Sequence, residues 1–153
     1  MATQKPGANN AGAFPFPASI DRESLETGTA FAPRFDANGL VPCITRDAKS
    51  GDVLMLAYMN AEALTRTLQT GQAHYWSRSR QALWRKGETS GQIQTLREMR
   101  IDCDQDTILM SVDVGGNGGT CHRGFQNCFY RTVEVSEDSQ SAALAQDPDM
   151  KPL

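Results

Sequence analysis

No apolar run in this chain is long enough to cross a bilayer. The longest, Val53 to Met59, falls far short of the roughly 20 apolar residues that a spanning helix needs. The opening stretch, MATQKPGANNAGAFPFPAS, lacks the apolar core of a secretory signal, so the expected location is the cytoplasm. Strong charge is missing too. With 15 Lys and Arg against 18 Asp and Glu, a net charge of −3 gives no footing for a nucleic-acid or membrane partner. No internal repeat is visible. No CxxC pair occurs, which counts against a zinc ribbon or finger. What is present suits one folded domain: 39% apolar and 22% charged residues over 153, enough to bury a core without staples.

Composition separates a middle from two ends. Residues 1–30 are rich in Gly, Ala, Asn and Pro without apolar periodicity, as in a flexible arm, although Phe14 and Phe16 could dock. Residues 136–153 form an acidic, Ser/Ala/Gln-rich tail with a short helical turn expected at most. Between them, residues 31–135 read as one domain dominated by strands. The first is expected at 40–45, where Pro42 hints at a sheet edge, and the second at 53–59, a largely buried run. Asn60 suits a helix N-cap, Glu62 the positive end of the helix dipole and Gly71 a stop. Leu64 and Leu68, four apart, give that helix its apolar stripe. Further strands are expected at 73–77, 92–102, 106–114 and 127–135. The predicted fold is α+β, mainly antiparallel β in a partly closed barrel, with one helix near 60–70.

The chemistry is crowded between Asp102 and Cys128. On a strand, Asp102, Asp104 and Asp106 would share one face with neighbouring Cα atoms roughly 6–7 Å apart. Three like charges at that spacing repel unless a cation or basic residues compensate, and oxygen-only ligation favours magnesium. The alternative is a solvated turn; an EF-hand loop is excluded, because no Gly and distal Glu follow at its offsets. Cys103, Cys121 and Cys128 are a soft donor set that suits zinc, and three protein ligands would leave one position open for catalysis. Free cysteines are also common as small buried hydrophobes, which fits Cys43 well and Cys121 poorly, since Cys121 lies between a glycine-rich loop and His122. His122 could take a proton from an activated water. His74 has no such neighbour and reads as a strand residue half exposed on a sheet.

A basic stretch precedes these donors. Arg78, Arg80, Arg85, Lys86, Arg97 and Arg100 face only Glu88 and Glu98 between His74 and Arg100. Guanidinium forks, the hydroxyls of Thr89 and Ser90 and nearby glycine amides suit phosphates, although a solvated strand edge has the same composition. No Walker motif is present. Trp76 and Trp84 could stack on a base or fill core.

Four runs in order resemble the phosphoribosyl-AMP cyclohydrolase family. They are His74-Tyr75-Trp76-Ser77-Arg78-Ser79-Arg80, Leu83-Trp84-Arg85-Lys86-Gly87-Glu88-Thr89-Ser90-Gly91, Asp102-Cys103-Asp104-Gln105-Asp106, and Cys121-His122-Arg123-Gly124 with Cys128-Phe129-Tyr130-Arg131. The likeness extends from about Leu40 to Val133. It implies hydrolytic opening of the adenine ring of phosphoribosyl-AMP at the N1–C6 bond by zinc-activated water, the third step of histidine biosynthesis. It further implies a homodimer with one zinc per subunit, held by Cys103, Cys121 and Cys128 across the subunit interface, and magnesium on Asp102, Asp104 and Asp106. His122 would be the catalytic base, and Arg78, Arg80, Trp84, Lys86, Thr89 and Ser90 would bind substrate. Because the chain ends soon after the last motif, the monofunctional form is expected. Two readings compete: a zinc-dependent nucleobase deaminase, whose H-x-E…P-C-x-x-C signature is absent, and a non-enzymatic zinc-stabilised interaction module, which would want four protein ligands.

Overall fold

Alternating burial builds the centre of the sheet. In β1 (Val41–Asp47), Val41, Cys43 and Thr45 are buried while their neighbours are partly open. In β6 (Ile108–Val114), Ile108, Met110 and Val112 are buried, and with Val41 and Cys43 they belong to one core cluster. The computed structural model describes residues 16–18 and 20–153; Phe14 and most of the expected arm lie outside the described residues. The remaining strands are β2 (Val53–Met59), β3 (His74–Ser77), β4 (Ala82–Arg85), β5 (Gln94–Ile101), β7 (Arg131–Val135) and β8 (Ala142–Gln146). Six strands form one sheet in the order β4-β3-β2-β1-β6-β5, and β7 and β8 form a separate ribbon. Every pair is antiparallel except β1 with β6. Among the described residues the architecture is an α+β half-barrel with two helices, α1 (Arg22–Thr27) and α2 (Ala61–Thr70), neither long and apolar enough to cross a membrane.

Helix α2 follows its capping residues. The Asn60 side chain accepts from the Ala63 N–H at 2.8 Å, and Gly71 closes the helix at φ 71°, in the left-handed region that glycine takes without a Cβ clash. Ala63 and Leu64 then reach the core. Strand β2 carries a bulge: Thr45 pairs with Met55 but Arg46 with Val53, so the extra residue Leu54 and its neighbour Met55 are both buried. The strand is less buried than its composition suggests, because Val53 and Leu56 are 46% and 48% exposed.

Three expectations need correction. Pro42 does not mark an edge, since β1 lies between β2 and β6. It is tolerated because the β6 ladder begins one residue later, at Cys43↔Ile108. The last stretch forms a strand rather than a helical turn, with Ala142–Gln146 pairing Arg131–Val135 in register. Within the expected arm, Arg22–Thr27 is a helix capped by Asp21, with Leu25 buried.

A buried polar chain crosses the interior. The Tyr75 hydroxyl donates to Gln94 Oε1 at 2.6 Å, so its oxygen accepts from Thr45 Oγ1 at 2.8 Å, and Gln94 Nε2 reaches Met55 Sδ at 3.4 Å. These contacts join β3, β5, β1 and β2. Tyr75→Phe would leave Thr45 and Gln94 buried with unmet polar groups. It should lower unfolding stability in urea by about 1–3 kcal/mol; an unchanged midpoint would show that the chain does not stabilise the fold.

Candidate active site

The turn from β5 to β6 gathers the aspartates. Asp102 N–H donates to the Thr107 carbonyl at 3.0 Å and Gln105 N–H to the Asp102 carbonyl at 3.1 Å. Asp102 Oδ1 accepts from the N–H groups of Asp106 at 2.9 Å and Thr107 at 3.1 Å. Gln105 stands at φ 58°, in the left-handed region. The three aspartates offer oxygens that all lie within 4.8 Å of one another. The expected clustering is present, but a tight turn produces it, not strand alternation. Hydrogen bonding with Asp102, then burial, pushes the Asp106 carboxyl above its ordinary value. Burial works to raise Asp102 as well, but its bonds with Asp106 and with the Thr107 and Asp106 N–H groups hold it below. Carboxylates this close repel one another unless a cation neutralises them.

The thiols at Cys121 and Cys128 lie on the loop after β6. Cys121 N–H donates to the Phe125 carbonyl at 3.0 Å and Gly124 N–H to the Cys121 carbonyl at 2.8 Å, closing a tight turn; Arg123 N–H lies 3.4 Å from Cys121 Sγ. Cys128 N–H donates to the Leu54 carbonyl at 2.8 Å and ties the loop to β2. Burial pushes the Cys128 thiol up to about 11; Cys121 adds to the effect and Lys86 opposes it. Lys86 Nζ donates to the Thr120 carbonyl at 2.6 Å, which sets the end of the basic stretch against the thiol loop. Burial lowers the Lys86 pKa, and the charges of Cys128 and Cys121 counter it. Thr120 Oγ1 is buried and, among the described residues, has no hydrogen-bond partner. Such an atom is costly to leave dry, and a water or ligand beside the thiols would satisfy it. His122 is exposed next to Cys121.

Cys103 lies elsewhere. It is exposed in the aspartate turn, ahead of β6, whereas Cys121 and Cys128 follow the far end of that strand. Seven strand residues at about 3.3 Å each separate the two ends of β6 by roughly 20 Å. Among the described residues, the aspartates are the only group of three such side chains close enough to share an ion. Cys43 is core, as expected, its thiol pushed up to about 12 by burial.

The basic residues divide. Arg97 bonds Asp113 at 2.6 Å, Arg100 is held by Glu98, and Arg85 reaches Gln72 Oε1 at 3.0 Å. Arg78 and Arg80 sit on the β3–β4 turn without an ion pair among the described residues. The Arg78 guanidinium lies 4.1 Å from the Tyr58 ring centroid, and Arg80 Nε is 3.3 Å from Ser77 Oγ. Thr89 and Ser90 are exposed on the loop after β4. Trp84 is half-buried with its ring centroid 5.2 Å from that of Tyr75, so it serves as core wall, with Lys86 Nζ 5.8 Å from the ring centroid. His74 is buried rather than half exposed, with Nδ1 2.7 Å from the Gln72 carbonyl, and burial lowers its pKa. Gln105 and Thr120 were not foreseen as part of the site; no spacing or charge pattern marks them.

A carboxylate cluster, a thiol pair beside an ammonium and arginines outside any ion pair among the described residues suit a metal-dependent hydrolase. The family model described as phosphoribosyl-AMP cyclohydrolase matches residues 55–130. A phosphoribosyl-AMP cyclohydrolase of Chelativorans sp. (strain BNC1) is 57% identical over 121 residues, covering 79% of this chain and 87% of that relative. One from Agrobacterium fabrum (strain C58 / ATCC 33970) is 53% identical over 135 residues, covering 88% of this chain and 90% of the relative. One from Brucella abortus (strain S19) is equally identical over the same length and is covered to 97%. The chain belongs to the phosphoribosyl-AMP cyclohydrolase family.

Proposed function

We propose that this chain hydrolyses phosphoribosyl-AMP in the cytoplasm, as the third step of histidine biosynthesis. Water adds at C6 of the adenine ring and the N1–C6 bond opens, leaving a carboxamide at the former C6 and a protonated N1. The observation that carries this reading is the Lys86–Thr120 contact, which brings a phosphate-compatible basic stretch against the thiol loop.

The donor sets fit two metals. Cys103, Cys121 and Cys128 would hold zinc, one per subunit, and Thr120 Oγ1 next to Cys121, without a hydrogen-bond partner among the described residues, is consistent with a further group at that site. Zinc supplies activation of water at neutral pH. The aspartates, whose oxygens crowd within 4.8 Å of one another, would hold magnesium and thereby relieve their repulsion. Because Cys103 and the other two thiols lie at opposite ends of β6, we infer a homodimer in which each zinc site draws Cys103 from one subunit and Cys121 with Cys128 from the other. His122, exposed beside Cys121, would accept the proton of the attacking water. Arg78 and Arg80, without an ion pair among the described residues, would meet phosphate together with Lys86, Thr89 and Ser90, while Trp84 would form a wall of the site.

The purified chain should open the adenine ring of phosphoribosyl-AMP, followed by ultraviolet absorbance. A strong chelator should abolish turnover and zinc should restore it; an active enzyme free of zinc would reject the zinc assignment. His122→Ala should keep one zinc per chain and lose rate by about a hundredfold. Metal analysis separates the alternatives, because loss of zinc would make His122 a ligand and an unchanged rate would make it structural.

A further inference from the structure

We propose that Gln105 is a positioning residue for the aspartate turn, acting by clamping that turn to the N-terminal segment between Leu25 and Arg34. The inference rests on the reading of Asp102, Asp104 and Asp106 as a magnesium site.

Gln105 occupies φ 58°, a backbone region that residues with a Cβ rarely take and that glycine takes freely. Its side chain shows what glycine would lose. The residue is 5% exposed, and its amide is fully used: Oε1 accepts from Ala32 N–H at 2.8 Å, while Nε2 donates to the carbonyls of Leu25 at 2.9 Å and Ala30 at 3.1 Å. Its own carbonyl accepts from Arg34 N–H at 2.7 Å. One residue thus bonds four positions of a segment far away in sequence.

The turn needs such an anchor. Asp104 and Asp106 flank Gln105 and carry carboxyl groups that repel one another at this spacing. Inside the turn, the bonds that oppose this repulsion are the Asp102–Thr107 and Gln105–Asp102 backbone contacts and those accepted by Asp102 Oδ1. The Gln105 side chain points inward while the aspartates remain accessible, so the segment grips the turn from behind and leaves its ligand face open. Helix α1 anchors the segment in turn through buried Leu25.

Manganese(II) titration of the zinc-loaded full chain, followed by electron paramagnetic resonance, tests this. Gln105→Gly keeps the turn's backbone freedom and removes the clamp. It should weaken manganese binding by about tenfold or more, the usual cost of losing a group that orients metal ligands. The magnesium concentration for half-maximal turnover should rise similarly, with kcat recovered at saturating magnesium and zinc content unchanged. Amide exchange between Leu25 and Arg34 should accelerate. Leu25→Ala, which loosens the segment while leaving every residue of the turn in place, should shift manganese affinity in the same direction, and decides the matter if Gln105→Gly does not fold. Wild-type manganese affinity alongside accelerated exchange would overturn the proposal, leaving Gln105 a tether for the segment alone; unchanged exchange would overturn the clamp itself. Asp104→Asn is the control: if it binds manganese as the wild type does, the magnesium reading falls and the proposal with it.

Discussion

The parallel ladder from Cys43↔Ile108 to Asp47↔Val112 sets the direction of β6, and that direction decides where the donor residues lie. Strand β6 starts beside the aspartate turn and ends toward the loop that carries Cys121 and Cys128. Parallel neighbours cannot be joined by a short hairpin, so the chain between β1 and β6 travels through β2, α2, β3, β4 and β5 before returning. The contacts among Thr45, Tyr75, Gln94 and Met55 hold that excursion together from inside. Cys103 and the pair Cys121 and Cys128 therefore lie beyond opposite ends of that strand.

Much of the middle of the chain was legible as sequence. Asn60 and Gly71 bounded the helix because capping is local: an amide side chain meets a nearby N–H, and a left-handed position favours glycine. Strands β2, β3, β5 and β6 were legible from runs of apolar and β-branched residues. Strand β4 has four residues and exists because the turn after Ser77 folds it onto β3, which no periodicity announces. Strand β8 draws its pairing from β7 and is largely exposed, so it lacks an apolar signature. The aspartates show a different kind of success, since their shared face was inferred from strand alternation and is produced by a turn with a left-handed Gln105. Spacing named the candidate donors; it could not give the Lys86–Thr120 contact or the Gln105 bonds, which depend on tertiary approach.

Both ends of the described chain are fastened to the loops that carry candidate ligands. Gln105 holds the N-terminal segment. At the other end, Leu153 N–H donates to the Gly124 carbonyl at 2.7 Å and Asp147 N–H to the Tyr130 carbonyl at 2.9 Å, while Phe125 stacks on Tyr130 at 4.0 Å. The neighbouring β7–β8 ribbon leaves Val133, Val135 and Leu144 more than half exposed. Apolar surface of this kind is what a second subunit would cover in the proposed dimer.

That proposed sharing is tested most directly by complementation. Cys103→Ala and Cys121→Ala proteins, each inactive alone, are unfolded together and refolded as a mixture. In a mixed dimer, one zinc site inherits both defects and the other inherits neither. Random pairing makes about half the dimers mixed, so roughly a quarter of wild-type activity should return. If one chain supplied all three thiols, every site would carry a defect, and the mixture would stay inactive.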